Sequence, residues 1–319
     1  MRHPGWQYRK GLHDLGNGSW AWLQPDGSWG FSNAGLVADG EQTLLVDTLF
    51  DLPLTRSMLE AMRDAVPAAA RVDTLVNTHA NGDHCFGNEL VQGAVIVSSR
   101  ACAEEMGQVP PSLMAEMVRN AESFGPAGAF MRDIFGAFEF EGITLTPPTE
   151  TFEGKQTRWV GDKEVRLFEV GPAHTRGDVI VHVPADAVVY TGDILFIEGH
   201  PIIWEGPIGN WIRACERICE MEPDVVVPGH GPLTDVSGVR AVRDYLSNLE
   251  REARARFDAG MSVEAAARDI SFHDYASWGD AERIAVNLNT LYREFDPSRS
   301  APATTELFAL MAELRRDRR

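Results

Sequence analysis

Apolar and polar positions along the chain switch between two periods. Around 29–37 and 43–46 the apolar residues form short strand-like runs, divided by the turn Asp39-Gly40-Glu41. Over 51–66 the period changes. Leu52, Leu54, Met58, Leu59, Met62 and Val66 stand near helical spacing with Pro67 past the end, so a helix is expected. The run 72–76 is again strand-like, 86–90 a short helix and 94–97 a strand. Such alternation belongs to a layered α/β fold.

Residues 100–148 break the strand pattern. Their Met106, Met114, Met117, Phe124, Met131 and Phe138 read first as a helical insert with its own small core, and as an alternative compatible with it, a lid whose soft side chains border a pocket. Strands return at 157–160, 165–170, 179–183 and 188–190, followed by a helix at 211–221 and a strand at 225–227. From 236 onward only helical periodicity remains, over 236–257, 262–269, 281–294 and 303–316. The expected organisation is an α/β domain over 1–235, with the insert at about 100–148, and a C-terminal helical extension over 236–319. That extension packs on the domain or on a second subunit of a homo-oligomer.

The chain has 319 residues, 44% of them hydrophobic and 24% charged. This suffices for a full core and is unlike a disordered or membrane-embedded composition. Lys and Arg number 29 against 47 Asp and Glu, a formal charge of −18. Such a balance repels phosphate backbones and anionic lipid, so neither nucleic acid nor a membrane is an expected partner. Bound divalent metal would reverse the field locally, which leaves small anionic substrates open. No run approaches the roughly 18 apolar residues of a membrane span, and four cysteines fit a reducing compartment. The expectation is a cytoplasmic protein acting on a small molecule. Cys215 and Cys219 read as core residues, and Cys85, beside His84, as a buried thiol.

The residues that carry chemistry gather at strand ends. Thr78-His79-Ala80-Asn81-Gly82-Asp83-His84 follows directly on the run 72–76. Three further pieces come in order: Gly171-Pro172-Ala173-His174-Thr175, Thr191-Gly192-Asp193 and Pro228-Gly229-His230-Gly231. Imidazoles and carboxylates held at the ends of buried strands suit a borderline or hard divalent ion such as zinc. Taken alone, His79 reads as a buried histidine and Asn81-Gly82 as a turn; four such pieces in succession read as a metal site. Asp178 is either a partner for the His174 imidazole or a solvated residue at a strand entrance, and His182 is a strand residue. The apolar loop after Asp193 offers Phe196, His200, Ile203 and Trp204 as a pocket wall, or as packing against the insert.

These pieces resemble the metallo-β-lactamase superfamily over roughly 28–235. Its motif is His-x-His-x-Asp-His, followed by a distant His, Asp and His. The resemblance implies an αββα sandwich with metals at one edge. By position, His79 and His174 match the first metal site, Asp83, His84 and His230 the second, and Asp193 the bridging carboxylate. The second motif histidine is Asn81 here. A neutral amide is a poorer zinc ligand than imidazole, so Asn81 is a weak ligand and the first site should bind loosely. Three occupancies stay open: two metals, one metal at Asp83, His84 and His230 with help from Asp193, or one iron at His79, His174 and Asp193.

The activity this implies is metal-dependent hydrolysis. One or two zinc ions per chain would supply hydroxide at neutral pH, with Asp193 bridging and Asp83 orienting it. The stretch between Asp193 and His230 is too short for the extra domain of the superfamily's nucleases. A small carbonyl ester, lactone or thioester with an apolar portion is the expected substrate. The alternatives are a mono-iron oxygenase using His79, His174 and Asp193, and a non-catalytic metal-binding protein.

Overall fold

The computed structural model describes residues 2–317. Its first sheet holds β1 (Gly11–Gly16), β2 (Ser19–Leu23), β3 (Ala34–Asp39), β4 (Gln42–Val46), β5 (Thr74–Val76), β6 (Val95–Ser99) and β7 (Glu150–Phe152), side by side in chain order. Neighbours from β1 to β4 run antiparallel, and those from β4 to β7 parallel. The second sheet holds β8 (Lys155–Val160), β9 (Lys163–Glu169), β10 (Val179–Val183), β11 (Val188–Tyr190) and β12 (Val225–Val227), in the order β12-β11-β10-β9-β8. Only its β11–β12 pair is parallel, bridged by the helix Ile208–Glu220.

Strand alternation divides the side chains into layers. Leu44, Val46, Val76 and Val97 of the first sheet share a buried core with Val165, Leu167, Val181 and Tyr190 of the second. Leu45, Leu75 and Ile96 point the other way, onto Met58 and Met62 of the helix Leu52–Ala65. On the far side Ile180, Val189 and Val226 meet Trp211, Cys215 and Ile218, and beyond them Val239 and Leu246 of the helix Val236–Asp258. Period-two strands with both faces covered thus stack as helix, sheet, sheet, helix. Each such fully buried aliphatic side chain stabilises the stack by about 1.5–3 kcal/mol. The first helix begins where the sequence asks for it: Asp51 Oδ1 accepts from Leu54 N at 2.8 Å.

Several elements differ from the sequence expectation. The hairpin β1–β2 and the short β7 were not expected. β3 begins only at Ala34, because the Asn33 amide donates to the carbonyls of Pro228 and Gly231 at 2.9 Å each and draws the segment before it out of the sheet. The helix expected at 86–90 starts earlier, inside the motif, as Gly82–Cys85, with a 3-10 turn at Asn88–Leu90. Insert helices are Arg100–Glu105, Pro111–Arg119 and Gly125–Phe135. The C-terminal extension adds Val263–Asp269, Ile284–Phe295 and Thr304–Asp317 after the helix Val236–Asp258. Thr304–Asp317 packs on the insert of its own chain: the Phe308 ring lies 5.9 Å from that of Phe130 and 6.4 Å from that of Phe135. Among the described residues no helix is long and apolar enough to cross a membrane.

Candidate metal centre and cavity

The two sheets bring their functional strand ends to one edge. β4 leads into Asp47, β5 into His79–His84, β11 into Asp193 and β12 into His230, while His174 precedes β10. Parallel pairing sets Val46 beside Val76 and Tyr190 beside Val227, so the loops that follow emerge next to each other. Close approach at that edge needs glycine. A Cβ on Gly229 would stand 2.0 Å from Asp193 Oδ1.

Asp193 is the hub. Its Oδ2 lies 3.3 Å from His174 Nε2, 3.4 Å from His230 Nε2 and 3.8 Å from His79 Nε2. Its Oδ1 lies 3.1 Å from His84 Nε2. Asp83 Oδ2 is 3.3 Å from His230 Nε2 and 3.9 Å from His84 Nε2. All six side chains expected as ligands therefore converge. Behind each imidazole a partner holds Nδ1: Asp47 Oδ2 at 2.8 Å for His84, Thr78 Oγ1 at 3.0 Å for His79, the Ile202 carbonyl at 2.7 Å for His174 and the Phe31 carbonyl at 3.2 Å for His230. Where Nδ1–H donates to a carbonyl or carboxylate, the lone pair of Nε2 faces inward, as a metal ligand requires.

This donor set fits a divalent cation. Ligand atoms of His79, His84 and Asp193, and of Asp83, His84 and His230, lie within 4.8 Å of one another, and His84 belongs to both groups. His79 Nε2 is buried without a hydrogen-bond partner among the described residues, while His84 Nε2 and Asp193 Oδ1 face each other at 3.1 Å without a well-formed hydrogen bond. A buried atom left unpaired costs about 1–3 kcal/mol, and a cation would give all three a partner. Electrostatics divide the four imidazoles into two pairs. Burial pushes His79 and His174 below the usual imidazole range, toward the neutral form that ligates. Burial also opposes ionisation of Asp193, yet His230, His84 and His79 together hold its carboxyl well below the usual value. For His84 burial acts downward and is outweighed by Asp193, Asp83 and Asp47, which raise it well above the ordinary value. Against the same burial, Asp193 and Asp83 push His230 up to about 9. Both favour the protonated form, and a bound cation would take the place of those protons.

Asn81 faces the cluster. Its amide nitrogen lies 3.0 Å from His174 Nε2, and its side chain makes no capping bond to the helix it precedes. A half-turn of the amide would bring Oδ1 to the same point. The residue thus stands at a helix start and aims at the metal ligands at once.

A cavity of about 560 Å³ opens from the cluster. Asn81, Asp83, His174, Asp193 and His230 line its floor, and Trp29, Phe50, Met114, Met117 and Phe308 its walls. Of the four residues expected at the pocket, Phe196 and Trp204 line it. His200 and Ile203 do not, which corrects that expectation. Both are fully buried behind the wall: His200 Nδ1 meets the Tyr245 hydroxyl at 3.0 Å, and Ile203 N donates to Asn287 Oδ1 at 2.8 Å. The apolar loop is captured by the C-terminal helices. Asp178 binds Thr175 N at 3.0 Å and Thr175 Oγ1 at 2.7 Å rather than an imidazole. The Cys85 thiol donates to the carbonyls of Ala80 and Asn81, and burial pushes it up, so it is a neutral packing group.

Sequence reasoning missed Asp47, Thr78 and the cavity walls from the C-terminal extension. Asp47 carries a signal in hindsight: an acidic residue straight after an apolar strand, here at φ +64°, a conformation that costs a non-glycine residue about 1–3 kcal/mol and that clusters at functional sites.

Comparison with known proteins decides the family. The profile of the metallo-beta-lactamase superfamily matches residues 27–230. The chain belongs to this superfamily. A hydroxyacylglutathione hydrolase from Maricaulis maris (strain MCS10) is 24% identical over 225 residues, which is 70% of this chain and 64% of that protein. A probable hydroxyacylglutathione hydrolase from Schizosaccharomyces pombe is 30% identical over 101 residues, 30% of this chain and 37% of that one. Among solved structures, a stereoselective inverting sec-alkylsulfatase from Pseudomonas sp. aligns over 92% of this chain and 52% of its own, at 16% identity and TM-score 0.65. A metallo-beta-lactamase from Pontibacter korlensis aligns over 75% of this chain and 100% of its own, at 21% identity and TM-score 0.55. The chain spans less than two thirds of the length of the Maricaulis and Pseudomonas proteins. These structural likenesses establish the superfamily fold, an α/β sandwich with a C-terminal helical extension.

Proposed function

We propose that the protein is a metal-dependent hydrolase of a small carbonyl ester, thioester or lactone with an apolar portion. The observation that carries this reading is the convergence of four inward Nε2 atoms and two carboxylates at the floor of an apolar cavity. His79, His174 and Asp193 would hold one divalent ion, with Asn81 as a weak further ligand, and Asp83, His84 and His230 a second, zinc being the ion that the donor set suits. Such an ion lowers the pKa of water to about 7 and polarises a carbonyl. The chain's own residues do the rest. Asp83 accepts a hydrogen bond from the attacking water and so sets its direction. Asp193, touching all four imidazoles, fixes the spacing between the two halves of the site. Phe196 and Trp204 exclude bulk water from one side.

Relatives named hydroxyacylglutathione hydrolases support the hydrolytic reading and favour acyl esters or thioesters among its substrates. Four unpaired cysteines agree with a reducing, cytoplasmic location. The domain boundary near 235 and action as a single subunit or homo-oligomer belong to the same proposal. A second reading is an iron oxygenase, favoured by His79 and His174 both facing Asp193 Oδ2. Ester, thioester and lactone panels with and without chelator, beside metal analysis of the protein as purified, test both. Chelator-sensitive hydrolysis with zinc supports the first; iron with oxygen uptake and no hydrolysis replaces it by the second.

A further inference from the structure

The cavity is larger than a small ester requires, and most of its wall is apolar, with Glu105, Gln108 and Glu205 among its polar lining. Five large apolar side chains are exposed among the described residues: Val95, Val109, Leu113, Phe124 and Trp159. Three of them, Val109, Leu113 and Phe124, belong to the insert and line the same cavity. They are 51%, 39% and 39% exposed. Apolar residues scattered singly need no explanation, but three around one opening mark a place where apolar surface is to be covered. Inward of them the wall includes Met117 and Met131 of the insert and Phe308 of the last helix. Unbranched thioethers conform to a flexible chain, where rigid aliphatic walls would demand one shape.

Volume sets the length. A methylene takes roughly the space of a liquid water, about 30 Å³, so 560 Å³ filled to about half holds near ten carbons. Resting on the hydrolase reading, we propose that the substrate carries an unbranched apolar chain of about eight to twelve carbons next to its scissile ester. The ester lies at the Asp83 and Asp193 floor, and the chain runs past Met117 toward Val109, Leu113 and Phe124. Met117, half-buried on the helix Pro111–Arg119, flanks this path, and its bulk sets how much of the chain can pass.

Two ester series test the proposal on the metal-loaded protein, one lengthening the acyl side from ethyl acetate to ethyl dodecanoate and one the alcohol side from ethyl to dodecyl acetate. In at least one series kcat/KM should climb about two- to fourfold per methylene and level off between eight and twelve carbons. Met117→Trp should move that plateau to shorter chains and Met117→Ala to longer ones. A flat profile in both series, or an equal loss at every length in both variants, overturns the proposal while leaving the hydrolase reading in place. Calorimetric titration with 1-octanol against ethanol reads the chain site without turnover. Saturable binding of octanol alone, weakened by Met117→Trp, supports it even if no ester is hydrolysed; absence of octanol binding overturns it.

Discussion

The carboxylate of Asp47 stands directly behind His84, its Oδ2 2.8 Å from Nδ1, while its Oδ1 accepts from the backbone N of Thr78 at 2.7 Å. One residue in a left-handed conformation thus orients an imidazole shared by both groups of candidate metal ligands and holds the start of the loop that carries His79 to His84.

Asp47→Ala should therefore weaken metal binding without removing a ligand. Loss of an outer partner typically lowers affinity by about 10- to 100-fold. Competition against a chromophoric chelator measures it, and an affinity equal to the parent's would show that His84 needs no support from Asp47.

Asp83→Ala and His230→Ala each delete a ligand from the set that includes His84. Turnover should fall to background and metal content should drop. The same ions should raise the melting temperature of the parent protein, since binding at 100 times Kd stabilises by about 2.7 kcal/mol. An unchanged rate with full metal content in either variant would reject the ligand assignment.

Asn81→His restores an imidazole at a side chain already 3.0 Å from His174 Nε2. Zinc stoichiometry should move toward two per chain, and the parent should release one ion at lower chelator concentration than the variant. Parallel titrations decide it: equal stoichiometry and equal chelator resistance would mean that the amide ligates as well as imidazole does here.

Asp178 gives a pH signature. Burial pushes its carboxyl up from 3.8 to about 8, against the opposing bonds from Thr175. The folded state thus holds a proton that the unfolded state releases. Stability from this source is complete below pH 3.8 and is lost as pH rises through about 8. Urea midpoints of chelated protein should decline over that window, and Asp178→Asn should flatten the decline. A parallel pH dependence in the variant would assign the slope to other groups.

Much of the candidate site was legible because its pieces are short-range features. His79, Asp83 and His84 sit together in the chain, and His174, Asp193 and His230 each follow a strand-like run, so local pattern brings out the residues that converge. The layers were legible for the same reason: Leu44 to Val46 alternate, and Met58 and Met62 repeat at helical spacing. What escaped depends on distant partners. His200 and Ile203 read as a pocket wall because their loop is apolar, yet Tyr245 and Asn287, from helices much later in the chain, draw them inward. Phe308 reaches the cavity only through packing on Phe130 and Phe135, which no local period announces. The hairpin β1–β2 is punctuated by Gly11, Gly16 and Gly18, all at positive φ, so no unbroken apolar run announces it.

Because Thr304 and Phe308 line the cavity while every candidate metal ligand lies at or before His230, the ligands are synthesised before the residues that close the cavity over them. At common translation rates the ribosome needs roughly 4–15 s to pass from His230 to the last helix. Throughout that interval the candidate ligands have been made and the roof has not, so an ion that met them then would not have to pass the enclosure.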